Sequence, residues 1–269
     1  MTVQKNQVFV ETALLGQGLQ TISAEEMLTA WQKALGESAN QVQCVWLANG
    51  EFCSGTLAQF LPYRQQKQML RLGVQQLAAA KQQAQSGFLT AGAVMHLWRA
   101  EEKAIVVTAG MGGIRGQQIS SDLPEVCQKR TFLIATAPKD MLDYPQTFAY
   151  YQQHGVAVYG YRQPLCDGFV FQQTAIPLAG CYQGENLKEL KEKDCYLLLQ
   201  AIPREQRFQN QEWLEKAVAS GELAAQQGRE FHPAVNQSLN EQSQGKNAKL
   251  QLHSLLNNIK IALEINQMI

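Results

Sequence analysis

The stretch AIVVTAGMGGIRG, residues 104–116, decides the fold. Residues 104–108 are a short apolar run, the pattern of a strand buried on both faces of a parallel sheet. The chain then opens into a glycine cluster: Gly110, Gly112, Gly113 and Gly116, with Arg115 among them. A glycine turn at the C-terminal end of such a strand lets backbone N–H groups approach an anion closely. It also lies where ligands bind in open α/β sheets. A tight turn with no ligand fits the same residues. No Gly-Lys-Ser/Thr follows, so this is not a Walker loop, and Arg115 stands where a dinucleotide fingerprint needs its third glycine.

A second buried strand over residues 131–136 ends in Ala137-Pro138-Lys139, so two strand ends point at one crevice. Taken alone, Lys139 reads most simply as a solvated surface lysine. Partly desolvated, it would have a lowered pKa and attack a carbonyl or an opened sugar. Glu11 lies in the apolar run 7–15, read as the first strand. A carboxylate there is expensive to bury unless it is paired or used. Burial would raise its pKa and suit it to general acid work; backbone donors would satisfy it equally. Asp122, after Ser120 and Ser121, reads locally as a helix cap. The histidines show no ligand spacing: His96 and His253 fall in helices, His154 at a helix end, and His232 before Pro233.

Outward from this centre, residues 41–47 read as a strand that turns at Asn49-Gly50 into a hairpin with 51–54. Residues 65–85 read as a helix stopped by Gly87, and 89–100 as another. Helix 144–154 leads to strand 156–161, helix 187–193 to strand 195–202, and long helices cover 211–227 and 247–267. Residues 229–246, rich in Asn, Gln and Ser, read as loop. The alternation predicts an α/β fold: one domain over residues 1–269, with a mainly parallel central sheet and helices on both faces in three layers.

Composition narrows the partners. Among 269 residues, 23 basic and 23 acidic side chains balance to zero net charge, which points to neither a nucleic-acid nor a membrane surface. No stretch has the apolar length of a membrane span, and Met1 to Asn6 form no signal pattern. The six cysteines are scattered, with no C-x-x-C pair, and read as reduced thiols. A cytoplasmic location is the resulting expectation.

In combination these residues resemble the pseudouridine-5'-phosphate glycosidase family over most of the chain. Val8-Phe9-Val10-Glu11-Thr12 resembles its A-L-E-S-T strand, and Ala109-Gly110-Met111-Gly112-Gly113 its G-G-I-G-G turn. Ile119-Ser120-Ser121-Asp122-Leu123 resembles I-S-A-D-L, and the run from Ala135 through Lys139 to Asp143 resembles C-A-G-A-K-S-I-L-D. The run from Gly155 to Tyr161 resembles G-V-P-V-I-G-Y, and Asn257-Asn258 with Glu264-Ile265 resembles a closing N-N-A-x-L-A-x-E-I helix. The resemblance implies cleavage of a C–C glycosidic bond in a nucleotide, giving uracil and ribose 5-phosphate; a divergent member that has lost the metal-loop residues would instead form C-glycosides or only bind a ligand. It implies Lys139 as the imine-forming nucleophile, Glu11 as proton donor and Asp122 as an aid to proton transfer. Arg71, Ala91, Gly112, Gly113, Ser120 and Ser121 would line the substrate site, with a base pocket around Phe88. It also implies a manganese ion and a homotrimer. The chain departs from the family after Gly113, where a V-H-R-G segment and a metal-binding F-D aspartate give way to Ile114-Arg115-Gly116-Gln117-Gln118. The family's substrate lysine aligns with Arg71, which would hold phosphate through a bidentate fork.

Overall fold

The computed structural model describes residues 7–98, 104–184, 189–192 and 195–268. Residues 1–6, 99–100, 187–188 and 193, on which parts of the sequence reading fall, lie outside them. The strand Val8–Glu11 runs parallel between Ile105–Val107 and Val42–Ala48. Beyond Ile105–Val107 come Phe132–Ala135, Cys195–Leu199, Ala157–Tyr161 and Gly180–Tyr182, all parallel. Val42–Ala48 carries Gly87–Leu89 antiparallel beside its second half, followed by Leu70–Leu72. The hairpin partner Glu51–Gly55 returns on its other edge. Left-handed Asn49 and Gly50, φ +49° and +79°, make that turn as the sequence predicts.

Every residue of Val8–Glu11, Ile105–Val107 and Phe132–Ala135 is buried, which explains their continuous apolar runs. The helix Lys246–Met268 packs across these strands with Ala24–Leu35 beside it. Ala91–Trp98 and Asp122–Cys127 cover the other face, where Trp98 meets Phe9 at 4.4 Å between ring centroids. This is the expected three-layer α/β arrangement with a mainly parallel sheet.

Several boundaries differ from the sequence reading. The first strand stops at Glu11, whose Oε2 accepts the Leu14 N–H at 3.0 Å and bends the chain into a helical turn. Residues 65–85 are not one helix. They follow the helix Leu57–Arg64 and contain the strand Leu70–Leu72 and the helix Val74–Gln82, so Arg71 lies on a strand and Gly87 opens one. Residues 229–246 are mostly the helix Phe231–Gln242.

Two fixtures hold the strand ends in place. Asn258, from the last helix, donates through Nδ2 to the Thr108 carbonyl at 2.8 Å and to Thr136 Oγ1 at 3.0 Å. It thus joins the ends of the two strands that carry the glycine turn and Lys139. On the far side of Lys139, buried Asp140 accepts N–H bonds from Phe169, Val170 and Phe171 at 2.9, 2.9 and 3.1 Å. Tyr144 donates to the Pro138 carbonyl. Lys139 therefore projects from a backbone segment held at both neighbours.

Asp140→Ala strands those three buried N–H groups. It should cost on the order of 3–5 kcal/mol, read as a lower urea midpoint with an unchanged m-value.

Candidate active site

Glu11, Asp122 and Lys139 reach one small enclosed cavity of about 30 Å³, together with Arg71, Thr90 and His232. Each arrives from the C-terminal side of the sheet. Glu11 ends its own strand, Lys139 follows Phe132–Ala135, and Asp122 opens the helix after the glycine turn.

Glu11 is 6 % exposed, and its Oε1 accepts the Thr108 hydroxyl at 3.1 Å. Burial raises its pKa, against the opposing positive charges of Arg71 and Lys139. The amine of Lys139 is lowered to about 8, first by burial and then by the Arg71 guanidinium, while Glu11 and Asp122 pull the other way. Part of the Lys139 side chain still faces the cavity. Among the described residues no ion pair joins it to either carboxylate, which leaves the amine available for reaction.

Asp122 does not act as the local cap that its position in the sequence predicts. Its Oδ1 accepts the Gly92 N–H and its Oδ2 the Gly112 N–H, each at 2.7 Å. The carboxylate thus ties the start of Ala91–Trp98 to the glycine turn. Gly112 is required there by space, because a Cβ would fall 1.9 Å from Ser120 Oγ.

The inner cavity opens on an outer pocket of about 670 Å³, and Arg71, Thr90, Ser120 and His232 line both. Ala91 and Gly112 line the inner cavity and Gly113 the outer one. Ser121 lines neither of the two; its hydroxyl lies against Gly92 instead. Phe88 is buried at 3 % exposure, packed on Phe60 and over Gly16, so no base pocket forms around it.

Sequence reasoning missed the outer wall. The shortened segment after Gly113 forms a small hairpin, Ile114–Arg115 with Gln118–Ile119. Arg115 extends from it to Glu222 at 2.6 Å and lies 3.9 Å from the Phe231 ring centroid. It ties the hairpin to the helices Gln211–Gln226 and Phe231–Gln242. Arg229 and His232 line the pocket from the same side. The linear pattern gives no signal for His232, because only the packing of its helix brings it to the crevice.

The donors present do not fit a manganese ion. Such an ion prefers several oxygen ligands, and no group of three or more His, Cys, Asp or Glu comes together among the described residues. Both Asp122 oxygens already hold backbone donors. Cys44, Cys53, Cys127, Cys166 and Cys181 are free thiols. No helix among the described residues is long and apolar enough to cross a membrane.

Comparison with known proteins covers the whole arrangement. A pseudouridine-5'-phosphate glycosidase of Thermotoga petrophila is 24% identical over 267 residues, covering 96% of this chain and 93% of the relative. Another from Thermotoga neapolitana is 24% identical over 271 residues, covering 97% and 95%. Among solved structures, an indigoidine synthase A-like protein of Thermotoga maritima superposes with a TM-score of 0.79 at 22% identity, over 98% of this chain and 94% of that one. The prealnumycin C-glycosynthase AlnA, in complex with ribulose 5-phosphate, gives 0.76 at 20% identity, over 98% and 91%. The model of the indigoidine synthase A like protein family matches residues 2–268, and the chain belongs to that family.

Proposed function

We propose that this protein breaks the C–C glycosidic bond of pseudouridine 5'-phosphate or a similar C-nucleotide through an imine on Lys139. One observation carries the reading: an amine lowered to about 8 and a carboxyl raised by burial share one enclosed cavity behind an arginine-lined pocket. At neutral pH a useful fraction of such an amine is unprotonated, and burial shifts the Glu11 carboxyl toward its protonated, proton-donating form. The curated relatives named as glycosidases of this substrate support the choice of bond.

The chemistry runs in balanced steps. Glu11 delivers its proton to the ring oxygen as the sugar opens. The Lys139 nitrogen bonds to the anomeric carbon, giving a cationic intermediate that Asp122 and the returned Glu11 carboxylate favour by charge. The bond from that carbon to the base then breaks. The nitrogen passes its extra proton to the Glu11 carboxylate, its lone pair forms the imine, and the bond's electron pair leaves with the base, which takes that proton to become uracil. Water hydrolyses the imine to ribose 5-phosphate and restores the amine. Carbon is a poor leaving group, and the nitrogen lone pair supplies the push that this cleavage needs. Arg71, at the junction of the two cavities, is placed to hold the phosphate.

A second direction has its own support, since one structural neighbour is described as a C-glycosynthase holding ribulose 5-phosphate. The same lysine and acid serve bond formation when the steps run backward. Incubation with pseudouridine 5'-phosphate, with and without manganese, should release uracil. Borohydride with ribose 5-phosphate should leave a stable adduct that maps to Lys139. Lys139→Ala should lose both signals, by about 10³-fold or more. Absence of uracil and of any Lys139 adduct in the wild-type protein would overturn the proposal.

The trapping rate should rise about tenfold per pH unit below pH 8 and level off above it, because only the free amine attacks. A rate that keeps climbing to pH 10.5, the ordinary lysine value, contradicts a depressed Lys139.

Stability should follow the same group. The folded protein releases this proton near pH 8 and the unfolded chain near 10.5, so burying the ammonium costs stability at neutral pH. Lys139→Met should therefore raise stability at pH 7 by on the order of 1–3 kcal/mol. The gain should shrink as pH rises from 8 to 10.5, as followed by urea melts across that range.

A further inference from the structure

His232 stands second in the helix Phe231–Gln242, directly before Pro233. Its ring lines both the outer pocket and the inner cavity that holds Lys139, Glu11 and Asp122. The residue is half-buried, with Phe231 packed edge-on at 5.3 Å between ring centroids. Nδ1 has no hydrogen-bond partner among the described residues. A buried ring nitrogen without a partner carries a desolvation cost that an apolar residue of the same volume would avoid. The position is built for a polar contact that the chain itself does not make.

We infer that His232 is a substrate-contacting residue that hydrogen-bonds a hydroxyl group of the opened sugar chain while its end is held at Lys139. This deepens the lysine-imine reading and rests on it. Charge selects the kind of group. Burial, with the positive charges of Lys139, Arg71 and Arg115, keeps the imidazole neutral, and Glu11, Asp122 and Glu230 are the acidic groups around the same cavities. A neutral imidazole is a poor phosphate ligand beside Arg71 but pairs well with an uncharged hydroxyl, as donor or acceptor according to its tautomer. Position selects the part of the substrate. Lys139 and His232 line the same inner cavity, so the part of the substrate between them is the sugar chain that continues from the lysine-bound carbon. His232 then determines specificity for hydroxylated sugars and excludes deoxy chains, because a missing hydroxyl leaves its nitrogen unpaired.

Selective ¹⁵N-histidine labelling of the full chain resolves four rings, with the His232 signal assigned through His232→Gln. Ribose 5-phosphate should move the His232 ring-nitrogen resonances, whereas inorganic phosphate should leave them in place. His232→Ala should weaken ribose 5-phosphate binding about tenfold and inorganic phosphate binding less than twofold, with His232→Asn recovering part of the loss. A merely structural histidine would move neither the resonance nor the ratio between the two ligands. If wild-type protein traps ribose 5-phosphate on Lys139 while the His232 signal stays fixed, or if His232→Ala binds it equally well, this inference fails and the lysine reading stands. If wild-type protein neither binds nor traps ribose 5-phosphate, both fall together. Should His232→Ala not fold, the resonance of the wild-type ring decides alone.

Discussion

The two short hydrogen bonds from Gly92 and Gly112 to Asp122 are the constraint on which the site depends. One carboxylate draws together the start of a helix from the edge of the sheet and the turn that leaves the sheet's centre. The negative charge also sits at the N-terminal end of Ala91–Trp98, where the exposed N–H groups favour it. Once those segments meet, the cavity has a floor. Ser120 fits against Gly112 only because that residue has no side chain. From the other face, Asn258 spans Thr108 and Thr136 and fixes the strand ends on which the turn and Lys139 are mounted. Thr136 also pairs with Ser254, so the last helix grips the same point twice.

The electrostatics follow from this enclosure. Alone in an apolar cavity, Lys139 would be pushed toward the free amine and Glu11 toward the free acid by the same loss of water. Their mutual attraction opposes both shifts, yet burial is the larger cause for each. Arg71 separates the two effects: it adds positive charge beside Lys139, which favours the free amine, while lowering Glu11. A guanidinium retains its proton throughout. The same arginine that lines both cavities therefore also favours the free amine of Lys139.

The centre of the fold was legible because its physics is local. Continuous apolar runs mark strands buried on both faces, glycines mark the turn, and two strand ends mark the crevice; Lys139 and Asp122, which read locally as a surface lysine and a helix cap, were singled out by the family resemblance. Where the reading failed, tertiary contacts overrode composition. Residues 229–246 read as loop because they are rich in Asn, Gln and Ser. In the structure, however, Asn236, Asn240 and Ser243 are buried and paired with Asn247 and Gln251 of the following helix. A polar ladder between two helices has the composition of a loop and the burial of a core. The glutamine-rich residues 65–73 likewise hide the edge strand Leu70–Leu72, which is defined by pairing with Gly87–Leu89 rather than by a pattern of its own. His232 was invisible for the same reason, since it reaches the site only through that polar helix pair.

The shortened segment after Gly113 acquires a physical meaning from this wall. A longer loop there would occupy the space now taken by Arg115 and Phe231, whose stacking seals the hairpin against the helices. Arg115 cannot serve that contact and also point freely into the pocket, because Glu222 and Gln118 hold its guanidinium from two sides. Its charge is thus partly neutralised at the rim, which leaves Arg71 and Arg229 as the cations facing an incoming anion. The hairpin and the two helices form the rim of the pocket, and Lys139, Glu11 and the Asp122 clamp lie behind it on the sheet. Chemistry set by burial at the strand ends can persist while the recognition surface is rebuilt from a different part of the chain, because only the shared Arg71, Thr90, Ser120 and His232 have to satisfy both.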